Sequence, residues 1–167
     1  MRGQVYWINI QGNTQTLPHP HVVLIELAHE CLLVPAFGEG GAEIEGLIRV
    51  CQKVGYLRKT VTVLLDNTAH VAFRPPFTGV RAHWAVVRAF KMSKADIATE
   101  QYIGQMDDAG LLLIAKGYEE YAQAHPTRVS ANMKKKVKQL ITALSRPAGT
   151  VVPTASPSLP AIPPPSP

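Results

Sequence analysis

Three short apolar runs in the first 34 residues, parted by polar or proline-bearing breaks, restrict this chain to a β-rich fold more than any other feature. Gln4 to Ile10 alternates and is rich in aromatic and β-branched side chains, the period of a strand with one buried face. Gln11 to Pro20 is polar and holds Gly12, Pro18 and Pro20, so it reads as a loop. His21 to Leu27 is almost continuously apolar, as central strands are, and Glu30 to Val34 is a second such run, ended by Pro35. The short link at Ala28-His29 makes the two a hairpin.

Further on, Gly38-Glu-Gly-Gly41 breaks the chain, and Ile44, Leu47, Ile48 and Cys51 then recur at helical spacing. Val61 to Leu65 and Ala69 to Phe73 flank Asp66-Asn67-Thr68 and predict a second hairpin. Arg74 to Gly79 is a turn. Val80 to Phe90 predicts one long strand with Ala82, Trp84, Val86 and Arg88 on a shared face, where Arg88 requires a partner or a barrel mouth. Asp107-Asp108 caps a helix from Ala109 to about Ala124, ended by His125-Pro126, and Ser130 caps another from Ala131 to Ser145.

The expected organisation is a mainly β, α+β domain over residues 1–125, a small curled barrel with a closing helix. A basic amphipathic helix (126–145) and a proline-rich tail (146–167) follow. Of the 22 residues from Arg146 onward 8 are proline, too few of the rest being apolar to offset the entropy of ordering, so disorder is expected there.

Charge follows the same division. The net +5 is the sum of −1 over residues 1–125 and +6 over 126–167, where Arg128, Lys134, Lys135, Lys136, Lys138 and Arg146 meet no acid. Inside the domain Arg58, Lys59, Arg74, Arg81, Arg88, Lys91 and Lys94 face one acid, Asp66, which predicts a positive surface suited to phosphates. Cys31 and Cys51 lack disulfide or metal-ligand spacing and read as small buried hydrophobes. No apolar run reaches the ~20 residues that span a bilayer, and no signal-peptide core opens the chain. A soluble, cytoplasmic protein without membrane contact is the expectation.

Several segments, taken in order, resemble the PemK/MazF-like toxins of type II toxin-antitoxin systems. Arg2-Gly-Gln-Val-Tyr-Trp-Ile8 is similar to the family's opening strand, and His19-Pro20 followed by Val22-Val23-Leu24 to its basic-residue-and-proline landmark. Cys31 to Pro35 resembles the next strand. Val87-Arg88-Ala89-Phe90 falls in the slot of the late Val-Arg-Thr strand, and Tyr102 to Met106, then Asp108 and a helix, resembles the closing segment. The likeness spans roughly residues 2–122. It implies an SH3-like barrel, a possible homodimer and metal-independent cleavage of single-stranded RNA without a cofactor. It also implies a small acidic antitoxin as partner. Two positions depart from the pattern. His19 stands where the family has its catalytic arginine, and Ala36-Phe37 follows Pro35 where the family has Ser or Thr.

Cleavage of RNA by its own 2′-hydroxyl requires proton transfer and a cation for the charge developing on phosphorus. His19 and His21 are the expected acid/base pair, aimed to one side at the rim of the barrel by strand alternation. Arg74, Arg81 and Lys59 are the expected RNA-binding clamps, and Tyr6, Trp7 or Phe37 could stack a base. His29, His70 and His83 show no metal-site spacing. Two other readings stand beside this one. The barrel could bind RNA or protein without cutting, or the proline-rich tail could engage SH3- or WW-like domains. The lysines around 134–138 fit a nucleic-acid surface or the solvated side of a docked helix equally.

Overall fold

The computed structural model describes residues 1–9, 18–73 and 81–146. The expected turn holding Arg74 and, beyond Arg146, the proline-rich tail lie outside them. The chain runs β1 (Gln4–Ile8), β2 (His19–Glu26), β3 (Glu30–Gly38), α1 (Ala42–Lys53), β4 (Val63–Asp66), α2 (Asn67–His70) and β5 (Val71–Phe73). It continues through β6 (Arg81–Trp84), β7 (Phe90–Ser93), α3 (Lys94–Ile97), β8 (Gln101–Met106), α4 (Asp108–Ala124) and α5 (Ala131–Leu144). The strands form one antiparallel sheet in the order β4-β6-β3-β2-β1-β8-β5, with β7 beside the first half of β3. It curls into a half-barrel backed by helices, the α+β arrangement expected. No described helix is long and apolar enough to cross a membrane.

Strand alternation sorts the sheet into two faces. The inner one carries Val5, Val22, Leu24, Val34, Ala36, Leu65, Ala82 and Trp84, which join Leu111, Ile114, Ala115 and Tyr118 of α4 in the main core. Asp107 caps α4 by accepting from the Gly110 amide at 2.7 Å. Ser130 caps α5 likewise, and Met133, Val137 and Leu140 of α5 belong to that same core. The outer face carries two smaller clusters. One is Tyr6, Ile8, Val23, Cys31, Leu33 and Ile97; the other is Phe37, Val61 and Ala85 beneath Ile44, Ile48 and Cys51 of α1. Both cysteines are buried and unbonded.

Three expectations fail, each for a physical reason. Asp66-Asn67-Thr68 does not turn a hairpin. Asp66 accepts from the Thr68 amide at 2.9 Å and its hydroxyl at 2.7 Å, capping the single turn of α2. The same residue types serve turns and helix caps, so local chemistry does not separate them. The result matters, because β4 then pairs with β6 and β5 with β8, so α2 links the two ends of the sheet.

The long strand Val80 to Phe90 is broken at Ala85 by a 3-10 turn, Val86–Arg88. The break turns Arg88 out to solvent, whereas an unbroken strand would hold its charge against the apolar face of Trp84 and Val86. Finally, β3 does not stop before Pro35. It runs on, and Pro35 falls where β3 changes partner from β7 (Leu33 opposite Phe90) to β6 (Ala36 opposite Trp84). A residue without an N–H is tolerated at that fork.

Candidate nucleic-acid site

Across the outer face, His19 of β2, Phe37 of β3 and His83 of β6 lie in one row, with Phe37 directly opposite His83. The His19 ring leans on Phe37 with centroids 4.6 Å apart. Gly41 starts α1 with no side-chain cap, and Glu43 and Glu45 in the first turn supply the negative charge that a helix N-terminus favours. Glu43 reaches both His19 and Arg88. One of its carboxylate oxygens lies 3.2 Å from His19 Nε2 and the other 3.8 Å from the Arg88 guanidinium. His19 is half-buried, while Glu43 and Arg88 are exposed. The three form a solvent-reachable cluster of proton carrier, carboxylate and cation.

His21, expected at the rim, is fully buried. Phe90 of β7 meets its ring edge-on with centroids 5.5 Å apart. Its Nδ1 lies 2.7 Å from the His19 carbonyl oxygen. A carbonyl only accepts, so Nδ1 carries the hydrogen and Nε2 is left as a bare acceptor. That Nε2 is buried with no hydrogen-bond partner among the described residues. Burial lowers the His21 pKa to about 4, so the ring is neutral and shut away from substrate at ordinary pH. His83 is buried too, and desolvation first, then the Arg58 charge, lowers its pKa.

The expected clamps do not gather around His19. Arg74 lies outside the described residues. Arg81 pairs with Glu39 at 3.4 Å, and Lys59 with Glu120 of α4 at 3.3 Å. The remaining bases of that stretch are matched as well. Arg58 lies 3.8 Å from Glu45, Lys94 lies 2.7 Å from Glu26, and Lys91 pairs with Glu30. Each described base between Arg58 and Lys94 thus has its own carboxylate, and the expected positive face is largely neutralised. Among the stacking candidates, Tyr6 and Phe37 are buried and Trp7 packs on the main core.

Sequence reasoning did not assign Glu43 or Arg88 to the site. Arg88 carried a signal, a charge on an apolar stripe that needed a partner. Glu43 carried little, since an acid in the first turn of a helix is ordinary and its nearness to His19 is tertiary. Among the described residues no group of three or more His, Cys, Asp or Glu side chains is placed to hold a metal ion. No family model, curated protein or solved structure matches the chain.

Proposed function

We propose that this protein is a PemK/MazF-like endoribonuclease that cuts single-stranded RNA without a metal, at a site made of His19, Glu43 and Arg88. The observation that carries the reading is Glu43 bridging Arg88 and His19, whose ring leans on Phe37. What supports it is a proton carrier, His19, at the position where the resemblance puts the family's catalytic arginine, with a cation, Arg88, across the same carboxylate.

His19 and Glu43 are too close to stand on opposite sides of a phosphorus atom, so they act as one unit. His19, oriented by Glu43, takes the 2′-hydroxyl proton as that oxygen bonds to phosphorus. Arg88 stabilises the negative charge that develops there. The bond from phosphorus to the 5′-oxygen breaks, the 5′-oxygen takes a proton from water, and His19 returns its own to solvent. The products are a 2′,3′-cyclic phosphate and a 5′-hydroxyl. His21 has no part, because it is buried. The reading brings with it a small acidic protein that silences the site, and a homodimer, as the resemblance implies.

The test is incubation with single-stranded RNA in the presence of a chelator, with the new ends mapped. Cyclic-phosphate ends should form and should fall about 100-fold or more in rate with His19→Ala. Glu43→Gln should slow cutting while tightening RNA binding, since it frees Arg88 from its carboxylate.

A second reading, a barrel that binds RNA or protein without cutting, is favoured by Ala36-Phe37 after Pro35, where the resemblance has Ser or Thr. Intact RNA from folded protein would decide for it.

A further inference from the structure

The site above does not use the densest cluster of unmatched bases among the described residues, which lies on α5 and just past its end. The side of α5 opposite its buried seam presents Lys134, Lys135 and Lys138, with Arg146 just past the helix end, interspersed with Ala131, Gln139, Thr142 and Ala143. Lys134 donates to the Pro126 carbonyl at 2.9 Å, but Lys135, Lys138 and Arg146 form no ion pair among the described residues. One acid, Glu119 of α4, shares a small cleft with Lys134 and Lys138. The contrast is with the described bases from Arg58 to Lys94, each of which has a carboxylate beside it, whereas Lys135 and Lys138 have none.

We infer that this face of α5 is a binding surface for the phosphate backbone of single-stranded nucleic acid. From Lys134 to Leu144 the helix rises about 15 Å, enough with Arg146 just past its end for several consecutive phosphates. The neutral residues between the bases are small or polar, so a sugar-phosphate chain can approach the helix closely.

The chemistry of the face argues against other partners. It exposes no aromatic or large aliphatic side chain that would enter a bilayer. Protein interfaces are depleted in lysine and anchored by aromatic residues, the reverse of what α5 offers. Without an aromatic platform the binding is electrostatic and independent of sequence.

The surface is separate from the His19 cluster. α5 joins the core through the inner face of the sheet, where Leu24 lies, whereas His19 and Phe37 stand on the outer face. Binding here does not depend on cutting.

The experiment uses the full chain and a 20-nucleotide single strand with 2′-O-methyl riboses, which has no 2′-hydroxyl to attack. Its affinity is measured across a range of salt concentrations for the parent and for the Lys135→Gln/Lys138→Gln/Arg146→Gln variant. All three side chains are exposed, and circular dichroism confirms that the variant folds. We expect the slope of log affinity against log salt to shrink by about 2, since each single-strand phosphate contact contributes ~0.7. A slope that does not change would overturn the inference, as would a parent that does not bind. Displacement by poly-glutamate as effective as by polyphosphate at equal charge would also overturn it, and would make an acidic protein the partner.

Discussion

His21 shows how one residue couples stability to pH. Folding lowers its pKa from 6.5 to about 4, mainly by burial. The unfolded chain therefore binds more protons than the folded one between those values. Stability from this source is complete above pH 6.5 and is lost progressively as pH falls toward 4. The gap amounts to roughly 3 kcal/mol. Replacing His21 with Leu should flatten the acid limb of a denaturation curve between pH 6.5 and 4, and an unaltered limb would place the pH sensitivity elsewhere. His83, lowered in the same direction, adds to the parent's slope. The half-buried His19, to which the proposed proton chemistry is assigned, and the buried His21, which ties stability to pH, flank a shared proline. Alternation puts both on the outer face, but only His21 is covered, by Phe90.

Among the elements, β8 and α5 each hold a position where a single change should be costly. Gly104 of β8 lies opposite Val5 on one side and Phe73 on the other. A Cβ there would sit 2.6 Å from the Ala72 carbonyl oxygen and 3.0 Å from the Phe73 Cα, and backbone atoms cannot step aside. Gly104→Ala should cost about 1–3 kcal/mol by overpacking, visible as a lowered urea midpoint. The glycine of the closing motif is therefore required by the close approach of β5. On α5, Leu140 is buried in the main core, and Leu140→Ala should cost roughly 2 kcal/mol or more. An exposed change such as Lys136→Gln should lie within about 0.5 kcal/mol of the parent. Equal effects of the two would mean that the α5 seam contributes nothing to the core.

At the scale of the molecule, the packing of α5 decides how the chain can be dissected. Composition divides the basic C-terminal part from the domain, yet Val129, Met133, Val137 and Leu140 share a core with α4 and the sheet. Truncation after His125 would expose that core to water. The shortened protein should bind a hydrophobic dye and unfold at lower urea than the full chain. A truncated form as stable as the parent would show that the barrel closes without α5. Charge is organised at this scale too. The acids of α1, of the strand ends and Glu120 of α4 neutralise the described bases of the middle stretch, so the densest cluster of unmatched bases among the described residues is left to α5 and its flanks.

Local periodicity determined most of the elements. The alternation of β1, the apolar runs of β2 and the start of β3, the 3.6-residue spacing of α1, and the caps Asp107 and Ser130 each act over a few residues. They are legible wherever one face must be buried. The link at Ala28-His29 is of this kind, closed by the Leu27 amide donating to the Glu30 carbonyl at 2.9 Å. Partner choice was not legible, because it depends on contacts far apart in sequence. Asp66-Asn67-Thr68 supports a turn or a cap equally well, and only the sheet's curl decided that β4 and β5 end at opposite edges. The fate of charges was hidden for the same reason. Nothing near Arg81, Arg88 or Lys59 in sequence names Glu39, Glu43 or Glu120 as their carboxylates, and nothing near His21 shows that Phe90 covers it. The sequence by itself determined which segments are strands and helices and which side of each is apolar. The tertiary structure alone decided which charges meet and which histidine keeps its water, because both depend on distances that only the folded chain sets.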